Sequence, residues 1–329
     1  MKEVAELAGV SITTVSHVIN NTRPVSDELK SSVLAAMAEL DYQPNLLARG
    51  LRMKTTKTLG VVLPDISNSF FADIGRAIED TSFEHGFSVI LCNTDNDLAK
   101  EIIYTKALSE KQVDGIIFVA SGESAEQVRA IQAKNMPVVI VDRPIGEISA
   151  DTVVSDNTTG AWAAVNHLIE IGHRHIACIS GPLILEPAQQ RVLGYRKAMQ
   201  EAGIPVQDDW IIESDFRCEG GHEAAMNLLT RGEPPTAIFA SNDLMAIGTI
   251  GAAKALDMMI PDDLSVVGFD DILLSSYFNP ALTTIAQPKY EIGVIATNML
   301  MERILNPRLP HRRQMLDNHL VVRASSAPL

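Results

Sequence analysis

The sequence predicts an α/β protein in which two doubly wound parallel-sheet subdomains follow an N-terminal all-α headpiece. Three observations carry that expectation. From Thr58 onward, short apolar β-branched runs alternate with helix-length segments, the pattern of parallel strands covered by helices on both faces. Ten such runs occur, more than one sheet comfortably holds, and the first set of βα units closes near Asp156. The first 58 residues show helical spacing alone.

The elements follow in order. A first helix spans about Lys2 to Ala8, with Val4, Leu7 and Ala8 on one face and Gly9 as its stop. Ser11 caps a second helix, Ile12 to Ile19. After the loop NNTRPVS, Ser26 caps a third helix to about Leu40, with Leu29, Val33, Met37 and Leu40 at helical spacing. Tyr42 and Pro44 close this unit, and Asn45 caps a short helix from Leu46 to Arg52. The strand runs are TLGVVLP, FSVILCN, DGIIFVA, PVVIVDR, TVVSD, HIACIS, WIIES, TAIFAS, LSVVGFD and TTIAQ. Helical periods fall near 70–85, 99–111, 124–135, 158–171, 188–202, 220–231, 243–256 and 289–305. There is no tandem repeat and no low-complexity segment.

Composition narrows the class. The 329 residues suit two or three domains, and 46% hydrophobic with 21% charged residues is ordinary globular usage. No apolar run approaches the roughly 20 residues of a membrane span. The start, MKEVAELAGVS, lacks the apolar core of a signal peptide. Cys92, Cys178 and Cys218 are an odd, scattered set, unlike a disulfide framework or a zinc site. The expectation is a soluble cytoplasmic protein. The net charge of −14 hides an asymmetry: residues 1–58 carry seven Lys/Arg against six Asp/Glu, so the acidity lies in the remainder. Arg49, Arg52, Lys54 and Lys57 form a basic linker with no acidic residue between Pro44 and Lys57, suited to phosphate contact.

The segment AELAGVSITTVSHVIN matches a helix-turn-helix. Thr13, Ser16 and His17 are read as one polar face of its second helix, small enough to enter a major groove. A plain amphipathic helix pair has the same spacing, and the basic linker tips the reading toward DNA. In QPNLLARGLRMK, a seven-residue helix containing Gly50 is too short to stand alone in water. DNA can bury its leucines, with Leu51 as a minor-groove wedge. The carboxyl ends of the strands carry Asp65, Asn68, Phe70, Phe71, Asp142, Arg143, Asn242, Asp243, Asp270 and Gln287, with Arg191 opening a helix and Phe216 following WIIES. Ligands bind at such strand ends in open α/β sheets. Carboxylates, amides and guanidinium groups with flat rings suit a neutral ligand rich in hydroxyls. There is no GxGxxG, P-loop, HExxH or G-x-S-x-G, so no enzyme is expected. His173 and His175 are read as structural because His175 leads straight into a strand, and Asp208/Asp209 and Asp262/Asp263 as solvated loop residues.

The segments VAELAGVSITTVSHVINNTRPVS and YQPNLLARGLR, with DGIIFV, DNTTGAWAAVNHLIEIGHRHIACISGP, GYRKAMQEAGI, PTAIFASNDLMAIG, LSVVGFDD and PALTTIAQP, resemble the LacI/GalR family of bacterial transcription repressors over essentially the whole chain. The resemblance implies a helix-turn-helix headpiece (1–44), a hinge helix that orders on the operator (45–57) and a periplasmic-binding-protein-like core (58–329). The core's subdomains would be 58–156 with 289–316, and 157–288 with 317–329. It implies a homodimer on a palindromic operator, a small-molecule effector, and no metal or cofactor. Ser11, Ile12, Thr13, Thr14 and His17 fall where the recognition helix meets the major groove. Asn45, Ala48, Arg49 and Leu51 fall where the hinge enters the minor groove. TTVSH at 13–17 is most similar to the purine- and ribose-repressor branch. The pocket positions look like those of ribose-binding proteins at Asn68, Phe70, Phe71, Asp142, Arg143, Arg191, Phe216, Asn242, Asp270 and Gln287, which points to D-ribose as inducer. A purine corepressor on the same fold is the first rival, and a sugar transport receptor the second. The chain starts almost inside its first helix, where relatives carry a cap. Gly50, where relatives often have serine, predicts a hinge that melts more easily. The ending VVRASSAPL has no heptad tail, which predicts a dimer and not a tetramer.

Overall fold

The computed structural model describes residues 1–329 except 21, 43–54, 123 and 147. The chain divides into two compact units, Met1–Lys57 and Thr58–Leu329. The expected helix over residues 46–52 lies outside the described residues.

In the first unit, α1 (Lys2–Leu7), α2 (Ile12–Asn20) and α3 (Asp27–Glu39) surround a small core of Val4, Ala5, Val15, Val33 and Ala36. Gly9 turns the chain between α1 and α2 at φ +66°, where a side chain is strained. Ser11 caps α2 as expected, its Oγ accepting from the Thr14 N–H at 3.0 Å. Ser26 occupies the cap position of α3 without a side-chain bond, and Asp27 and Glu28 face the helix dipole instead.

The second unit begins with β1 (Thr58–Leu63), α4 (Ser69–Glu84), β2 (Ser88–Asn93), α5 (Leu98–Glu110), β3 (Gly115–Phe118), α6 (Ala125–Ala133), β4 (Val138–Val141) and β5 (Asp151–Ser155). It continues with α7 (Asn157–Glu170), β6 (Ile176–Ser180), α8 (Glu186–Glu201), β7 (Ile211–Glu213), α9 (Cys218–Leu229), β8 (Ala237–Ala240), α10 (Asp243–Ala255), β9 (Ser265–Asp270), α11 (Leu273–Tyr277) and β10 (Thr283–Ala286). It ends with α12 (Lys289–Leu305), β11 (Arg313–Leu316) and β12 (His319–Val321).

Two six-stranded sheets result, ordered β11-β5-β4-β3-β1-β2 and β12-β10-β9-β8-β6-β7. All pairings are parallel except β10 with β12. Alternate residues of each strand bury on opposite faces. In β1, Leu59, Val61 and Leu63 meet α4 and α12, while Val62 lies with Leu108 of α5 and Ile131 of α6. In β8, Ile238 and Ala240 meet α9 and α10, whereas Ala237 and Phe239 meet α7 and α8.

The ten sequence-predicted runs are strands; β11 and β12 were not foreseen. Their sequences, RQML and HLV, are short and partly exposed, so they lack the apolar run that marks a buried strand. The chain passes between the sheets three times, after β5, β10 and β11. These crossovers are laced together. Ser155 Oγ donates to Gln287 Oε1, Asn318 Nδ2 donates to the Asp156 carbonyl at 3.0 Å, and the Asp156 N–H donates to the Leu316 carbonyl at 3.0 Å. Among the described residues, no helix is long and apolar enough to cross a membrane.

Candidate functional site

The carboxyl ends of both sheets open on one cavity, the place where ligands bind in open α/β sheets. Nine of the ten sequence-predicted positions line it: Asn68, Phe70, Phe71, Asp142, Arg143, Arg191, Phe216, Asn242 and Asp270. Gln287 does not. It lies one layer below, buried, with Nε2 donating to Asp270 Oδ1 at 2.7 Å. Asp65 lines the mouth as well, and its carboxylate also holds the turn at Ser67.

Strand ends set the backbone, and helix caps set the amides. Asn68 caps α4 by accepting from the Phe70 N–H at 3.0 Å. Asn242 caps α10 by accepting from the Met245 N–H at 2.9 Å, and its Nδ2 donates to the Phe216 carbonyl at 3.0 Å. Arg191 does not open its helix. Glu186 does, with Pro187 next to it, so Arg191 projects from the second turn of α8. Its Nε donates to Asn157 Oδ1 at 2.8 Å, and its Nη1 to the Ser241 carbonyl. Its guanidinium lies over the Phe269 ring at 3.9 Å. Arg143 is held by Asn96 Oδ1 at 2.8 Å and the Ala120 carbonyl at 2.9 Å, beside the Phe71 ring at 5.4 Å.

Four charged groups in the cavity wall are buried: Asp142, Asp270, Arg143 and Arg191. Two are negative and two positive, so their charges cancel. They are not closed ion pairs. Arg143 Nε lies 3.6 Å from Asp142 Oδ2, and Arg191 Nη1 lies 3.7 Å from Asp270 Oδ1, beyond good hydrogen-bond distance. Among the described residues, no hydrogen-bond donor meets the Asp142 carboxylate. Buried carboxylates so loosely paired are costly, and their remaining lone pairs are available to a ligand. Burial pushes the Asp142 carboxyl up, against the pull of Arg143 and Arg191. Burial likewise raises Asp270, to about 7, with Asp243 adding and Arg191 opposing. Burial lowers both guanidinium groups.

Phe216 covers one side at φ +66°, and it fits only because its neighbour is Gly181. A Cβ there would stand 2.0 Å from the Phe216 ring. Asn96, Pro187, Asp215 and Arg217 also line the cavity and were not foreseen. Asn96 and Asp215 follow β2 and β7, so the strand-end rule reached their neighbourhood, but in sequence they look like ordinary turn residues. Asp243 is a contrast. It points away from the cavity and accepts from the Ile272 N–H at 2.8 Å, Ser275 Oγ at 2.6 Å and Thr284 Oγ1. His173 is buried between Thr236 Oγ1 at 2.9 Å and Ser265 Oγ at 3.0 Å. Among the described residues, no group of three His, Cys, Asp or Glu side chains is placed to hold a metal ion.

On the headpiece, Ser11, Ile12 and Thr13 are exposed and Thr14 and His17 partly so. The His17 ring meets Thr22 Oγ1 at 2.8 Å. Ser16 departs from the expected polar face. It is buried beside Val15, because α2 turns that side toward α1 and α3. The hinge positions Asn45, Ala48, Arg49 and Leu51 lie outside the described residues.

Comparison with known proteins places both units. Residues 1–45 match the family described as bacterial regulatory proteins, lacI family, and residues 56–324 the periplasmic binding proteins and sugar binding domain of LacI family. The chain is 40% identical over 326 residues to the HTH-type transcriptional repressor PurR of Photobacterium profundum, covering 99% of this chain and 98% of that one. A LacI family transcriptional regulator from Enterococcus faecium with bound ribose shares 33% identity and a TM-score of 0.76, over 83% of this chain and 99% of that one. The lac repressor dimer bound to operator and an anti-inducer shares 30% identity and a TM-score of 0.88, over 98% of each chain. Matched over both units, this chain belongs to the LacI family: it is a DNA-binding transcription repressor controlled by a small-molecule effector, and not an enzyme.

Proposed function

We propose that the protein represses transcription as a homodimer on a palindromic operator and that a neutral sugar of pentose size, D-ribose first, releases it. The observation that carries the sugar is the balance of the four buried charges in the cavity wall. With Asp142 and Asp270 ionised, two carboxylates and two guanidinium groups sum to zero, which suits an uncharged ligand. Their open lone pairs and N–H groups suit hydroxyls, each both donor and acceptor. Phe70 and Phe216 are then the flat surfaces for the sugar's C–H faces. The ribose held by the Enterococcus faecium regulator supports this choice. In this reading Ser11, Ile12, Thr13, Thr14 and His17 meet the major groove, and Asn45, Ala48, Arg49 and Leu51 the minor groove. Gln287 serves the effector through Asp270.

A second reading has its own support. Relatives named PurR, one of them 40% identical, favour a purine effector acting as corepressor, with the phenylalanine rings stacking the base. The sign of the response separates the two. The test is calorimetric titration of the protein with D-ribose, glucose, xylose and hypoxanthine, paired with operator binding in the presence of each. Ribose binding that weakens operator binding supports the proposal. Hypoxanthine binding that strengthens it overturns the sugar and installs the second reading.

A further inference from the structure

Beneath the cavity, one serine supports two of the charged groups without touching the cavity itself. Ser155 is the last residue of β5, at the first crossover, and is buried. Its Oγ donates to Gln287 Oε1, and Gln287 Nε2 donates to Asp270 Oδ1 at 2.7 Å. Its carbonyl accepts from Asn157 Nδ2 at 3.3 Å, and Asn157 Oδ1 accepts from Arg191 Nε at 2.8 Å. The two members of the Arg191–Asp270 pair thus trace back to one residue at the joint between the sheets.

The amide of Gln287 is nearly symmetric in shape, so its orientation is decided by its partners. The Asp270 carboxylate, which only accepts, takes the N–H end, and the Ser155 hydroxyl completes the oxygen end. We infer that Ser155 is a positioning residue for the effector site: its hydroxyl anchors the Gln287 amide at Oε1 and so holds the Nε2 donor within reach of Asp270. This rests on the reading of the cavity as the effector site. The other charged groups facing Asp270 are Arg191 from α8, Asp243 from α10 and Lys289 from α12, whose Nζ donates to the Asp270 carbonyl at 2.9 Å. Beside it, Asp271 is paired with Arg323 at 2.7 Å. None of these contacts the Gln287 amide among the described residues, so Ser155 is its second anchor. Without the hydroxyl the amide hangs on one bond, the N–H donor to Asp270 weakens, and the carboxylic acid gains over the carboxylate, which is the better acceptor for a sugar hydroxyl.

The test is calorimetric titration of the full chain with D-ribose from about pH 5.5 to about pH 8.5, spanning the raised carboxyl, for wild type, Ser155→Ala and Ser155→Thr. Ser155→Ala is expected to bind about tenfold more weakly at neutral pH. Its pH midpoint moves up by about one unit, and Ser155→Thr, which keeps the hydroxyl, restores both. Should Ser155→Ala fail to fold by its melting curve, Ser155→Cys serves, since it keeps the volume but offers only a weak donor to Gln287, and its midpoint is expected to move the same way. An unmoved midpoint in the folded variant, with or without a loss of affinity, overturns the inference alone. Wild-type protein that leaves ribose unbound overturns the effector-site reading, and the inference with it.

Discussion

Asp142, Phe216 and Asp270 stand at φ +64°, +66° and +114°, a region L residues seldom occupy. Aspartate tolerates it, but phenylalanine does so at a cost of about 1 kcal/mol or more. All three line the cavity. Asp142→Asn should lower effector affinity by tenfold or more, because it replaces a charged acceptor by a neutral one; a hydrogen bond to a charged group is worth about 1.5–3 kcal/mol, and calorimetry measures the loss. The pH dependence has a definite sign. Burial raises the free Asp270 carboxyl to about 7, and the carboxylate is the stronger acceptor for a hydroxyl. Affinity is therefore full above that pH, and as pH falls below it each bound ligand must first displace a proton, weakening binding by up to about tenfold per unit. Titrations at three pH values suffice, and a flat profile would contradict it. Gly181→Ala should push the Phe216 ring out of place and cost about 1–3 kcal/mol of stability, read as a lower melting temperature together with weaker effector binding.

At the scale of elements, the caps and periodic faces were legible in the sequence. Ser11 before ITTV, Gly9 before it and the spacing of Leu29, Val33 and Met37 each express a local rule, and α2 and α3 form as those rules require. Ser11→Ala should destabilise α2 by about 1 kcal/mol. Loss of helical signal from the headpiece at a lower temperature, with the core transition unchanged, is the expected result. The elements that escaped were β11, β12 and α11. RQML and HLV carry no sustained apolar alternation, and they become strands because β5 and β10 offer open edges to pair with. Five residues of α11 are held by Asp243 through the Ile272 N–H and Ser275 Oγ, a partner about thirty residues away that local spacing does not reveal.

Across the whole molecule, function is a difference in affinity between two states. An effector shifts operator binding only by as much as it prefers one state, and a tenfold change in operator affinity needs about 1.4 kcal/mol of coupling. An effector that binds the folded core alone should stabilise it by about 2.7 kcal/mol at a hundred times its dissociation constant. In differential scanning calorimetry the expected outcome is a ribose-dependent rise in the transition of the Thr58–Leu329 unit, with the headpiece transition unmoved. With Leu51 as the minor-groove wedge proposed above, Leu51→Ala should reduce operator affinity at least tenfold while leaving ribose affinity within about twofold, since such a wedge acts through a few kcal/mol of base-step unstacking and not through sugar contacts. Equal operator affinity for the variant and wild type would remove Leu51 from the interface.

The sequence by itself determined the two-sheet architecture, the headpiece and the residue types of the pocket. Apolar β-branched runs alternating with helical periods admit few other folds, and polar residues just past such runs fall at carboxyl ends, where the two sheets face each other. Tertiary structure alone decided which polar residue does what. Asn242 and Asp243 are adjacent, yet one faces the cavity and the other is drawn inward by Ser275 and Thr284. Asp270 ends β9 and Gln287 follows β10, yet Gln287 withdraws to bridge Ser155 and Asp270. Ser16 turns into the headpiece core while Thr13 stays outside. The physical reason is range. Periodicity and capping are set by neighbours a few residues apart, whereas each of these side chains is placed by a partner or a packing surface that only the folded chain brings within reach.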